Sequence, residues 1–173
     1  MTDDASDKHR ASVVVGVYPG QPDTVVKQAA TFASRFDAQL VCAYVNAGRY
    51  VMAEGPDGSF TSMPFDPDVP DLGEEEFDPA LREHLTHVLS GGGVSWETRA
   101  LAGDPARALG QLADTVEAAM IVVGTRENTF LAGVQEFLAG SVAARLAHRQ
   151  HRPVVVIPLN PKGVESSLPW EAE

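Results

Sequence analysis

The sequence has little cysteine, no long apolar run and no excess of basic residues. Its single cysteine, Cys42, can form neither an internal disulfide nor a cysteine-based metal site. Cys42 lies in the apolar run LVCAYV, which favours buried packing over reactivity. No apolar stretch reaches the roughly 18 residues of a membrane-spanning helix. The polar start MTDDASDKHR lacks the apolar region of a secretory signal, so a cytoplasmic protein is expected.

The charge balance excludes a second group of functions. Acidic residues number 24 against 13 basic residues, which gives a formal net charge of −11. A general nucleic-acid or anionic-membrane surface is therefore not expected. The sequence also has no G-x-x-x-x-G-K-[ST] loop, no G-x-G-x-x-G after the first strand and no G-x-S-x-G elbow. No nucleophile–base pair can be identified from spacing, so the residues give no direct indication of an enzyme.

Apolar, β-branched runs alternate with amphipathic stretches along most of the chain. The predicted strands are Ser12–Val17, Gln39–Val45, Val94–Leu101, Met120–Val123 and a last strand beginning at Pro153. The predicted helices cover Thr24–Phe36, a stretch from Pro79 to the SGGG run, a stretch beginning at Pro105, and Gly140–Arg149. Asp78 and Asp104 are expected to cap the second and third helices. This alternation predicts one α/β domain with a mostly parallel sheet and helices on both faces.

Three segments differ from this pattern. Residues 1–10 are predicted to be a disordered tail, and residues 160–173 form a polar tail that contains proline. Residues 46–78 form a long, acidic, proline-rich excursion. Within it, EGPDGSF can turn a hairpin between RYVMA and SFTSM. Such an excursion is typically a lid or contact surface, or else flexible. The domain itself is expected to span residues 11–159.

The fold class predicts where a ligand would bind. In open α/β sheets ligands lie beyond the carboxyl ends of the strands, where the strand order reverses. The loops after Val17 and Val123 would line such a crevice if their strands are neighbours. Gly124 opens the second loop, Gly140-Ser141 closes it at a helix N-terminus that suits a phosphate, and Arg126 could supply a mobile charge. Turn and capping requirements also explain the same glycines and serine, and on spacing alone they are the favoured explanation.

Two histidine pairs have spacings that bear on metal binding or catalysis. His84 and His87 are three residues apart on a predicted helix and could form half a metal site, but a solvated helix face is favoured. His148 and His151 fall at the end of the last helix, where cationic groups favour the helix dipole. Neither pair predicts a specific chemistry.

The residues resemble the universal stress protein family over about residues 11–159. The resemblance rests on SVVVGV, on QLVCAYV and on ALAGDPARALGQLAD…AAMIVVGTR…GSVAARLAHRQHRPVVVIP. The excursion and HRQHRPVVVIP resemble the subgroup found in actinobacteria. The resemblance implies a Rossmann-like, five-stranded parallel sheet in the order 3-2-1-4-5, with helices on both faces. It also implies a homodimer through the last strand, at Val154, Val155, Val156 and Ile157.

The resemblance further implies an ATP site, with Mg, in those members that bind nucleotide. Their loop has the form G-x2-G-x9-G-[ST]. The matching positions are Gly16 and Val17 at the end of the first strand, beside the base and ribose, and Val45 against adenine. Around the phosphates they are Gly124, Gly140 and Ser141, followed by Val142, while Gly133 could replace the second glycine and Arg126 could add its charge. Two departures are expected to weaken binding. Glu127 stands at the second glycine, in a loop three residues too long, and Tyr18 replaces the usual Asp.

Three functions follow from these features. The first is a cytoplasmic stress-response regulator that binds ATP weakly between the loops after the first and fourth strands. The alternative is a dimeric interaction module that binds no nucleotide and uses the acidic excursion to contact a protein partner. A slow ATPase ranks third, because no catalytic base can be named.

Overall fold

A parallel sheet forms the centre of the computed structural model, which describes residues 11–54, 60–64, 77–125 and 142–159. The strands in these ranges are β1 (Ser12–Val17), β2 (Gln39–Asn46), β3 (Arg49–Glu54), β4 (Phe60–Pro64), β5 (Trp96–Ala102), β6 (Ala118–Gly124) and β7 (Val154–Ile157). The helices are α1 (Thr24–Arg35), α2 (Pro79–Leu89), α3 (Pro105–Thr115) and α4 (Val142–Arg149). None of the helices in the described ranges is long and apolar enough to span a bilayer.

The five-stranded sheet has the order β5-β2-β1-β6-β7, and all of its pairings are parallel. Counted over the five strands predicted from the sequence, this is the order 3-2-1-4-5, so the predicted fold is confirmed. From β1 the chain first adds strands on one side, at β2 and β5, and then on the other, at β6 and β7. The order therefore reverses between β1 and β6. The hairpin predicted around EGPDGSF is also confirmed, because β3 and β4 pair antiparallel in a separate sheet.

Alternate residues of the central strands face two separate apolar clusters. Val15 and Cys42 point into a cluster with α1 and α2, on what we call the α1/α2 face. Val14 and Val41 point into a cluster with α3 and α4, on the α3/α4 face. Because the sheet is buried on both faces, its central strands are continuously apolar rather than alternating. Cys42 is fully buried, which raises the pKa of its thiol to about 12 and agrees with a packing role.

Both predicted N-caps are confirmed. The Asp78 carboxylate accepts a hydrogen bond from the Leu81 N–H at 2.9 Å, and the Asp104 carboxylate accepts one from the Arg107 N–H at 3.0 Å. In each helix a proline follows the cap, where no intrahelical N–H is required. Gly103, just before the second cap, has φ +90°, a conformation that favours glycine.

The strand β6 begins two residues earlier than the sequence pattern predicts. A turn at Glu117, whose φ is +48°, ends α3 and sends the chain directly into the sheet. The Arg152 guanidinium then donates a 2.8 Å hydrogen bond to the Ala118 carbonyl. This contact comes from 34 residues further along the chain. The local sequence pattern around β6 therefore cannot predict this hydrogen bond.

Candidate functional site

The two loops predicted to form a site begin side by side. Val15 of β1 lies opposite Val122 of β6, and both strands run in the same direction. The chain therefore leaves β1 after Val17 and β6 after Gly124 at the same edge of the sheet, at the point where the strand order reverses. The adjacency on which the sequence prediction depended is confirmed. We call this edge the carboxyl edge.

On the α3/α4 face, the carboxyl edge carries partly exposed apolar residues. Val45 is the second-last residue of β2, Val142 begins α4, and Leu101 lies on β5. All three are half-buried and pack against the same cluster. Gly16 joins them, because a Cβ atom at this position would lie 3.3 Å from Leu109 Cδ1 of that cluster. We define Gly16, Val45, Leu101 and Val142 as the candidate site.

On the α1/α2 face, the same edge is filled. Val17 is only 4% exposed and packs into the α1/α2 cluster, so its side chain lies on the opposite face from Val45. Phe77 is also buried there, with its ring edge-on to Tyr44 at 6.3 Å between centroids. The Gln21 side-chain amide donates to the Gly16 carbonyl at 3.2 Å. Among the described residues, this face of the carboxyl edge is therefore packed with protein side chains.

Gly124 has a packing reason to be glycine. A Cβ atom there would lie 2.9 Å from Val25 Cγ2 and 3.3 Å from Leu159 Cδ1, closer than side chains normally approach. Side chains of α1 and of the residues after β7 therefore occupy the space that a side chain at position 124 would need. A close approach of phosphate to this glycine is not needed to explain it, and its phosphate role stays a prediction.

The remaining predicted residues divide into two groups. Tyr18 is half-buried directly after β1, and its carbonyl accepts a 3.1 Å hydrogen bond from the Gln21 N–H. Its position agrees with the predicted place beside the candidate site, but its role toward a ligand stays a prediction. The other residues, and the departure at Glu127, lie outside the described residues; they are Arg126, Gly133, Gly140 and Ser141.

Sequence patterns missed an ion pair that connects two helices at the carboxyl edge. The carboxylate of Asp104 bonds the guanidinium of Arg145 on α4, in addition to capping α3. Partial burial by itself would raise the pKa of Asp104, but the Arg107 N–H and the Arg145 guanidinium outweigh burial and lower it. The neighbouring Pro105 identifies Asp104 as a cap in the sequence. Its partner 41 residues away has no local signal.

Sequence patterns also missed the contacts that hold the first residue of the β6–α4 loop. The Thr125 N–H donates to the Ile157 carbonyl at 2.9 Å. The Thr125 hydroxyl oxygen in turn accepts from the Leu159 N–H, also at 2.9 Å. The start of the loop is thereby fixed to the end of β7 and to the residues that follow it.

Both histidine pairs are exposed, one on α2 and the other at the end of α4. His84 Nε2 lies 2.8 Å from Asp23 Oδ1, which connects α2 to the start of α1 at an exposed position. His148 lies in the last turn of α4, and His151 follows the end of that helix. Among the described residues, no group of three or more His, Cys, Asp or Glu side chains is placed to hold a metal ion.

Comparison with known proteins identifies the family. The family model described as the universal stress protein family matches residues 10–158, which is most of the chain. This chain belongs to the universal stress protein family. A universal stress protein of Methanocaldococcus jannaschii is 30% identical over 131 residues, which cover 76% of this chain and 71% of that protein.

Solved structures of universal stress proteins share the fold. One, a universal stress protein in complex with cAMP, is 25% identical, with a TM-score of 0.55 over 85% of this chain and 95% of that chain. Another, a universal stress protein from Archaeoglobus fulgidus in complex with dAMP, has a TM-score of 0.53 over 85% of this chain and 97% of that chain. At 18% identity, the second likeness shows the fold alone.

Proposed function

We propose that this universal stress protein binds an adenine nucleotide at the candidate site. The observation that carries the proposal is that Gly16, Val45 and Val142 all pack against the α3/α4 cluster, and that Gly16 lies near the end of β1, at the reversal of strand order where open α/β sheets bind ligands. Half-buried apolar side chains suit the faces of a base. The relative of 25% identity that was solved with cAMP supports the choice of ligand.

In the proposed complex, each residue has a stated part. Val45 contacts adenine, and the backbone of Gly16 and Val17 lies beside the base and ribose. Gly124, Arg126, Gly133, Gly140, Ser141 and Val142 would surround the phosphates of ATP with Mg. Tyr18 in place of a carboxylate and Glu127 in place of a glycine weaken that binding. The proposal is therefore a stress-response regulator with low nucleotide affinity.

Titration calorimetry and ligand-observed NMR with cAMP, AMP and Mg-ATP test the proposal. We expect saturable binding no tighter than micromolar. Val45→Lys should abolish it, because it places a charge on the apolar surface offered to the base. The matched control is Val88→Lys, at a half-buried valine of α2 on the other face, which should bind like the wild type. If both variants bind the nucleotide equally well, the site lies elsewhere on the protein. If the wild type shows no saturable binding, the proposal is refuted.

The last strand supports a second part of the proposal, a homodimer formed through Val154, Val155, Val156 and Ile157. In the described sheet β7 is an edge strand without a charged residue, and Val156 is 42% exposed. The opposite edge, β5, carries the ion pair of Glu97 and Arg99. Charges on an edge strand discourage pairing, whereas a bare apolar edge invites it. A protein partner, a cytoplasmic location and membership of the actinobacterial subgroup stay predictions.

A further inference from the structure

The helix α3 is fixed at the carboxyl edge by the end of β2. The Gly103 N–H donates a 3.1 Å hydrogen bond to the Asn46 carbonyl, directly after Val45 of the candidate site. Asp104 follows and caps α3. The first turn of α3 is therefore held beside the residue proposed to contact the base.

The helix α4 is connected to that fixed point by one charged contact. One carboxylate oxygen of Asp104 accepts from the Arg107 N–H, and the other bonds the Arg145 guanidinium. Arg145 lies one turn after Val142, the first residue of α4. The two side chains are 32% and 33% exposed, so the pair is partly shielded from water. It therefore joins the β2 side of the candidate site to its α4 side.

We propose that Asp104 and Arg145 are positioning residues that set where the N-terminal end of α4 stands relative to Val45. This inference rests on the proposed function. The end of α4 presents backbone N–H groups and the positive end of the helix dipole, which suit the phosphate of a nucleotide bound with its base on Val45. The ion pair would therefore favour nucleotides over nucleosides without touching the ligand.

If the same residues acted directly on the ligand, removal of the Asp104 charge would change the affinity for AMP in the opposite direction. If Arg145 bound the phosphate itself, removal of the Asp104 charge would free the guanidinium and remove a repelling carboxylate. Binding of AMP would then become tighter. If the pair positions α4, binding of AMP becomes weaker while binding of adenosine changes little. The substitution Asp104→Asn separates these cases, because Asn keeps the acceptor that caps α3.

The experiment compares the wild type with Asp104→Asn, Arg145→Gln and Arg145→Lys. The control is Glu97→Gln, which removes a carboxylate of similar exposure from an ion pair at the opposite end of β5. We expect Asp104→Asn and Arg145→Gln to lower the ratio of AMP to adenosine affinity by about twofold to fivefold, the range of a partly exposed ion pair. Arg145→Lys should restore part of the ratio, and Glu97→Gln should leave it unchanged. An unchanged or raised ratio in Asp104→Asn would overturn the inference.

Hydrogen exchange of the ligand-free proteins separates this inference from the proposed function. Amides of residues 142–149 should exchange faster in Asp104→Asn than in the wild type, while those of α3 should not change. If the exchange rates of these α4 amides do not change, the ion pair does not restrain α4, and the inference fails regardless of what the protein binds. If exchange rises but the wild type binds neither AMP nor adenosine, the restraint stands, whereas the proposed function and the positioning role fail together.

Discussion

At the scale of single residues, the glycines of the carboxyl edge show why a motif and a binding site are different things. Gly16 leaves room for Leu109, and Gly124 leaves room for Val25 and Leu159. Both positions match the family's nucleotide loops, yet each has a packing requirement that holds without any ligand. A glycine in the motif therefore establishes the fold more directly than it establishes nucleotide binding.

The packing explanation predicts that Gly124→Ala destabilises the protein. The added Cβ would stand 2.9 Å from Val25 Cγ2, so the neighbouring side chains must shift. We expect a loss of about 1–3 kcal/mol in the free energy of unfolding, measured by urea denaturation. The control is Gly92→Ala, where the nearest atom would be the Leu89 carbonyl oxygen at 3.5 Å. Equal stability of the two variants would mean that Gly124 is not closely packed.

Tyr18 and Glu127 carry the prediction that nucleotide affinity is low. The double variant Tyr18→Asp with Glu127→Gly supplies a carboxylate for the ribose and removes a charge that repels phosphate. We expect its affinity for Mg-ATP, measured by calorimetry, to exceed that of the wild type by about tenfold, roughly the effect of one good charged hydrogen bond. An unchanged affinity would show that the longer loop, and not these two side chains, limits binding.

At the scale of the elements, most of the architecture could be predicted from local sequence. β-Branched runs mark the buried strands, and Asp-Pro marks the starts of α2 and α3 because cap and first helical position are adjacent in sequence. The two faces of the sheet could not be predicted so directly. Val17 and Val45 were both assigned to one site, but one packs against α1 and the other against the α3/α4 cluster. A helix that covers a strand end is a tertiary feature, and so is the contact between Asp104 and Arg145.

The connection between α3 and α4 predicts a specific pH dependence. The pKa of Asp104 is lowered in the folded protein, so its contribution to stability is complete above its unfolded value near 3.8 and is lost as the pH falls through the lower folded value. The difference in free energy of unfolding between wild type and Asp104→Asn should be constant from about pH 7 to 5 and should shrink below about pH 4. Urea denaturation across this range measures it. A difference that disappears already near pH 6 would assign the effect to another group.

At the scale of the whole molecule, the two sheet edges differ in a way that matters for assembly. The charged edge β5 is suited to remain single, whereas the apolar edge β7 is suited to pair. Ile157 at the end of β7 and Leu159 just after it also hold Thr125, the first residue of the β6–α4 loop. In the proposed dimer, the interface strand would therefore contact the first residue of the β6–α4 loop.

The dimer proposal is best tested at Val156. Val155 packs partly against the core, so a lysine there would also disturb folding, whereas Val156 is exposed. We expect Val156→Lys to halve the mass measured by light scattering, because a charge on the strand opposes edge pairing. Phe36→Lys, at the exposed end of α1, is the control and should keep the wild-type mass. A dimer that survives Val156→Lys would place the interface elsewhere.

The central claim is that an adenine nucleotide binds on the α3/α4 face of the carboxyl edge. Titration of the ¹⁵N-labelled protein with AMP, followed by amide chemical shifts, tests it most directly. The account predicts saturable chemical-shift changes at Gly16, Val45 and Val142. The amides of Gly91 and Glu117, which lie before the amino ends of β5 and β6, should not change. Chemical-shift changes confined to the amino ends of the strands or to α1 and α2 would contradict it, and so would the absence of any saturable change.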